Sequence, residues 1–136
     1  MINGKEALEK LVVDKNEMKK NLDQLVDKAL KIFRIKKEDG RIIFQNFAAL
    51  KDSEKICTVL VGKYFASELN LISDNSLSIS QIAKEIGKPI TSLSKPIKEL
   101  VKSGLIEWLP TRKYRISYHR IDEILDNLVA ATTKKR

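Results

Sequence analysis

The chain has 136 residues, 26 Lys+Arg against 18 Asp+Glu, one His and a formal net charge of +8. That length fits one domain, or a small domain with an extension, and 43% hydrophobic with 32% charged residues excludes a disordered chain and a membrane protein. One Cys and one His exclude an internal disulfide and a standard Cys/His zinc site, so neither a metal nor any other cofactor is expected.

The N-terminal stretch reads MINGKEALEK, with charges where a secretory signal needs an apolar run, and no segment approaches a membrane-spanning length. A cytoplasmic protein without membrane contact is expected. Asn3 and Glu6 fit a capping box at the start of a long helix. Leu8, Leu11, Lys15, Met18, Leu22, Leu25, Ala29 and Ile32 then alternate at spacings of three and four, the a/d seam of a coiled coil. A narrow seam needs a cover, either the same helix in a second copy or the rest of the chain. The first reading is preferred, with Leu8, Leu11, Met18, Leu22, Leu25 and Ala29 as the dimer interface.

Phe33 and Ile35, then Ile42 and Phe44, alternate with polar residues around Glu38, Asp39, Gly40 and Arg41, which predicts a short β-hairpin with a tight Asp-Gly turn. The alternative is that the first helix runs on to about Arg34. Asp52 or Ser53 is expected to cap a helix reaching about Asn70. That helix is apolar nearly all round and so buried on more than one side. Gly62 in its middle is read as the mark of a close helix crossing.

Leu77 and Ile79 read as a short strand. Ser80 is taken as the cap of a helix over 81–86, with Gly87 as its left-handed stop. After a turn at Lys88 and Pro89, a second helix covers about 91–103 and ends at Gly104. Strands over 105–109 and 114–117 flank a turn of Pro110, Thr111, Arg112 and Lys113. A last helix spans 119–130 and precedes a basic tail, 131–136, expected to be disordered. The domain reading is 1–50 as an N-terminal helix with a possible hairpin, then 51–130 as the globular domain.

Helix, tight turn, helix and β-hairpin occur in the order of a winged helix-turn-helix. Gln81, Ile82, Ala83, Ile86 and Gly87 resemble the first helix of that motif. Leu93, Ile97 and Leu100 with the exit at Gly104, Leu105 and Ile106 resemble the second, and Lys113, Tyr114, Arg115 and Ile116 the returning wing strand. The pattern is similar to prokaryotic regulators of the MarR and ArsR type and to archaeal winged-helix proteins. The resemblance implies a mainly α fold with a small β wing (α+β), duplex DNA as partner, and a homodimer meeting two half-sites.

At about 100° per residue, Thr91, Lys95, Lys98 and Lys102 fall on one narrow stripe of the second helix, opposite Leu93, Ile97, Leu100 and Val101. The resemblance puts Thr91, Ser92, Ser94 and Lys95 near base edges and Lys98 and Lys102 on phosphates. It puts Arg112 and Lys113 at the wing tip, with Arg115 and Lys88 on the same surface. Pro96 leaves two readings open. Either the helix is continuous and loses one N–H bond, or it starts only at Lys95 with Ser94 as cap, leaving Thr91 and Ser92 in the loop. The charge supports the placement. Residues 88–120 hold eight Lys/Arg and two acids, a net of +6, whereas residues 1–87 hold 15 and 13, a net of +2.

Cys57, His119, Trp108, Tyr114 and Tyr118 are read as packing residues, Trp108 inside the wing. No nucleophile–base set and no phosphate-binding glycine motif occurs, so an enzyme is not expected. The rival to a DNA-binding regulator is a winged-helix module for protein–protein assembly, because fold does not fix function. The sequence names no target site, sign of regulation or small-molecule effector.

Overall fold

The computed structural model describes residues 22–134. The capping box at Asn3 and Glu6, the seam positions Leu8, Leu11, Lys15 and Met18, and the last two tail residues lie outside them.

Among the described residues are five α-helices and two antiparallel hairpins. Helix α1 (Leu22–Ala29) leads into β1 (Phe33–Ile35) and β2 (Ile42–Phe44). A single 3-10 turn (Phe47–Ala49) precedes α2 (Asp52–Glu68). Then follow α3 (Ile79–Ile86), α4 (Ile90–Lys102), β3 (Ile106–Trp108), β4 (Tyr114–Ile116) and α5 (Ile121–Lys134).

Helix α2 is the axis of the molecule. It packs against α3, α4, α5, β4 and both strands of the first hairpin. Ile56, Val59, Leu60, Val61 and Ala66 are fully buried around its circumference, as expected for a helix without a solvent face. Its N-cap is Lys51, one residue before the expected caps, and the Lys51 backbone N–H donates to Glu54 Oε1 at 2.7 Å. Asn70 ends it in the left-handed region (φ 60°), and the Leu71 N–H donates to the Ala66 carbonyl at 2.9 Å, closing the last turn.

The first hairpin forms with Phe33 opposite Phe44 and Ile35 opposite Ile42, so the alternative of a helix extending to Arg34 is excluded. Its turn is wider than a two-residue Asp-Gly turn. Lys36 N–H donates to the Arg41 carbonyl and Gly40 N–H to the Lys36 carbonyl, each at 2.8 Å, and only Gly40 takes positive φ (74°). Gly62 marks a close approach, but to a strand rather than a helix. A Cβ there would lie 2.3 Å from Ile42 Cδ1, so β2 rests directly on the α2 backbone.

Two charged groups are buried on α2. Lys55 carries its ammonium 3.9 Å from the centroid of the Phe47 ring, a cation–π contact. Lys63 donates to Glu85 Oε1 at 2.8 Å and to the Gly40 carbonyl at 3.1 Å, while Glu85 Oε2 accepts from Ile42 N–H at 3.4 Å. One ion pair thus joins α2, α3 and the first hairpin.

Helix α1 packs on α5, and Lys28 bridges to Asp122 and, at 2.8 Å, to Asp126. Its hydrogen bonds to these two carboxylates raise the Lys28 pKa above the ordinary lysine value. Leu25 and Ala29 of the expected dimer seam are buried in this chain's own core, whereas Leu22 with Val26 and Leu30 stays exposed. Helix α5 begins after a 3-10 turn (Tyr118–Arg120) and runs through Lys134, so residues 131–134 are helical and not part of a disordered tail.

Candidate nucleic-acid interface

The segment from Leu77 onward builds the candidate interface. Leu77 does not start a strand with Ile79. It makes one two-bond bridge to Tyr114 (2.8 and 2.7 Å), and Ile79 already opens α3. The cap of α3 is Ser78 and not Ser80. Ser78 Oγ accepts from Gln81 N–H at 3.2 Å while Gln81 Oε1 accepts from Ser78 N–H at 2.9 Å, a reciprocal capping box. Gly87 stops the helix in the left-handed region (φ 80°), its N–H donating to the Ala83 carbonyl.

Pro89, extended, is the N-cap of α4, whose helix is continuous from Ile90 to Lys102 with Pro96 inside it. The late start at Lys95 is therefore excluded, and Thr91 and Ser92 sit in the first turn. Pro96 leaves the Ser92 carbonyl without its helical donor, the loss that a proline at this position imposes. Hydroxyls supply local bonds nearby: Ser92 donates to the Pro89 carbonyl at 2.8 Å and Ser94 to the Ile90 carbonyl at 3.2 Å. Leu93, Ile97 and Leu100 are buried and hold α4 onto α2 and α3.

The opposite stripe is exposed as expected: Thr91, Lys95, Lys98 and Lys102 all face solvent. Among the described residues, none of these three lysines has an ion-pair partner, and the Thr91 hydroxyl has no hydrogen bond. Glu99, also exposed, is the one acid on this helix.

At the wing, Ile106 pairs with Ile116, Glu107 with Arg115 and Trp108 with Tyr114. The tip closes through Leu109 N–H to the Lys113 carbonyl and Arg112 N–H to the Leu109 carbonyl, both 2.9 Å. Arg112 is in the left-handed region (φ 63°), where a non-glycine residue costs roughly 1–2 kcal/mol. The strain leaves an exposed guanidinium at the outermost point of the hairpin.

Three of the expected contacts are engaged within the chain. Lys88 pairs with Asp52 at 3.0 Å, Lys113 with Asp74 at 3.5 Å and Arg115 with Glu107 at 2.7 Å. The Ser76 hydroxyl and N–H donate to Asp74, and with Lys113 nearby they hold this carboxyl below its ordinary pKa. None of these pairs is buried, so each is worth little in water and can exchange for phosphate. Of the cations expected at the interface, Lys95, Lys98, Lys102 and Arg112 make no ion pair among the described residues, whereas Lys88, Lys113 and Arg115 do.

Sequence reasoning missed two features here. Arg120 reaches back to the Ser103 carbonyl (2.6 Å) and pairs with Glu123 (2.7 Å), fixing the end of α4 to the start of α5. Trp108 is not packed inside the wing. It is 50% exposed, because on that face of the hairpin the core takes Ile106, Ile116 and part of Tyr114 but not the indole. Cys57 is buried as expected, and burial pushes its thiol up to about 12, which makes it unreactive at neutral pH.

No helix among the described residues is long and apolar enough to cross a membrane. No curated protein and no solved structure matches the chain. The family model of winged helix-turn-helix DNA-binding matches residues 69–107, which run from the end of α2 through α3 and α4 into β3. Over that span the chain is similar to the winged helix-turn-helix DNA-binding family, and with the β3–β4 wing that follows, its mixed α+β fold is a winged helix-turn-helix.

Proposed function

We propose that this chain is a cytoplasmic, sequence-specific duplex-DNA-binding protein that regulates transcription as a homodimer and is not an enzyme. The observation that carries the reading is the exposed row of Lys95, Lys98 and Lys102, without acid partners among the described residues, on the second helix of the motif. The N-terminal half of α4 enters the major groove, where Lys95 bonds a guanine edge and Thr91 adds a hydroxyl contact. Lys98 and Lys102 lie on phosphates, and Arg112 follows the adjacent groove from the wing tip. Lys88, Lys113 and Arg115 join by releasing their exposed carboxylates. The dimer forms through the apolar surface that α1 leaves open, where Leu22, Val26 and Leu30 line a groove with Leu69 of the α2 end. In the sequence, Leu8, Leu11 and Met18 precede Leu22 at the same heptad spacing.

Fluorescence anisotropy of a labelled duplex across a salt series tests the reading. The expected result is a linear fall of log K with log salt, at about −0.9 per neutralised phosphate. No duplex binding at ~50 mM salt overturns it. A stable complex with another protein in place of DNA would favour the assembly module.

A further inference from the structure

Resting on that DNA-binding reading, we infer that Trp108, supported by Tyr114, forms an aromatic platform on the wing that stacks on the face of a nucleic-acid base. The two residues are cross-strand partners on the face that carries Ile106 and Ile116, one pair further out. Ile106 and Ile116 are buried by the body of the protein, Tyr114 packs partly against the same core, and Trp108 stands outside that cover. Trp108 is left 50% exposed, with its ring centroid 4.8 Å from that of Tyr114 and the planes tilted by 52°. Tyr114 is itself half-buried and pinned by two backbone bonds to Leu77, so it holds the indole from behind.

A large aromatic surface kept in water on a small domain costs free energy that a smaller polar residue would not. Its neighbours indicate the occupant. The hairpin turn just beyond it carries Arg112 and Lys113, and β3 leads directly out of α4 with its row of lysines. An exposed indole face on a hairpin whose turn carries Arg112 and Lys113 suits an anionic polymer with π faces, since base–aromatic stacking tolerates any base and cations hold the backbone. A protein surface would gain nothing from that cationic border unless it were acidic. A base face can come from an unpaired nucleotide next to the duplex, or from a base step opened in the minor groove by an aromatic wedge.

Trp108 is the single tryptophan of the chain, so its emission reports this position alone. The test titrates the full chain with a blunt-ended duplex, and with the same duplex carrying a single-stranded extension. Tryptophan emission and the anisotropy of the labelled DNA are followed together. Quenching that saturates with the anisotropy is expected. If only the extended DNA quenches, the base is an unpaired one, and if the blunt duplex quenches equally, it belongs to an opened step. Trp108→Ala is expected to weaken binding by about 5- to 150-fold. Its salt slope should be unchanged because no phosphate contact is lost. Trp108→Phe should restore most of the affinity. DNA binding with unchanged emission, or parental affinity in Trp108→Ala, overturns the platform but leaves the DNA-binding reading standing. Absence of binding in anisotropy overturns both.

Discussion

Lys63→Met is expected to destabilise the fold by about 3–5 kcal/mol, the range for removing one partner of a buried ion pair. The ammonium bonds Glu85 at 2.8 Å and the Gly40 carbonyl at 3.1 Å, and both charged side chains are largely removed from water. Without it, the Glu85 carboxylate keeps only the long bond from Ile42 N–H. A chain of this size would lose roughly 10–20 °C in Tm, read by circular dichroism melting. The double variant Lys63→Met with Glu85→Met should recover part of the loss. Replacing both members by apolar groups is often neutral, but the Gly40 carbonyl and the Ile42 N–H then each lose a partner, at about 1–3 kcal/mol for a fully buried group. A single variant that melts within a few degrees of the parent, or a double variant no better than the single, would show that the pair does not hold these elements together.

The pair matters for function because of where it sits. Glu85 is in the last turn of α3, the helix that sets the angle of α4. Gly40 and Ile42 belong to the first hairpin, outside the motif. The N-terminal part of the chain is thereby fastened to the helix-turn-helix, rather than joined to it by a linker.

The second large effect concerns binding. Lys98→Ala with Lys102→Ala should weaken duplex binding evenly across sequences and make the salt slope shallower by about 0.9 per lysine. Lys95→Ala should cost about 1–3 kcal/mol on the preferred site and relax the choice of base there. All three side chains are exposed, so stability should change by no more than about 0.5 kcal/mol. The readout is anisotropy on preferred and scrambled duplexes, with thermal melts as the control. Unchanged affinity and slope in the double variant would remove α4 from the interface.

Much of the motif was legible because its signals are local. Gly87 and Gly104 mark helix ends, Leu93, Ile97 and Leu100 mark the buried face of α4, and the lysine spacing marks the opposite one. Ser78 was also legible in principle, because only Ser78 has Gln81 at the third helical position, whereas Ser80 does not. The errors lie where distant residues decide. Lys63 sits in the otherwise apolar stretch 59–66 of α2, a sign that it needs a partner, but the partner is 22 residues away and only the fold supplies it. Gly62 signalled a close approach without saying that Ile42 of a strand makes it. Trp108 alternates correctly onto the inner face of the wing, yet alternation does not tell how far the core extends along that face. The seam in α1 showed an apolar stripe but not its division between α5 of the same chain and the open surface at Leu22, Val26 and Leu30.

The most direct test of the central claim is to map DNA onto the protein, residue by residue, by following backbone amide resonances of the full chain during titration with a duplex. The expected shifts centre on the first two turns of α4, on Lys98 and Lys102, and on the wing tip around Arg112, while α1 and the first hairpin move little. Shifts concentrated on α1 and the first hairpin, with α4 and the wing unmoved, would contradict it.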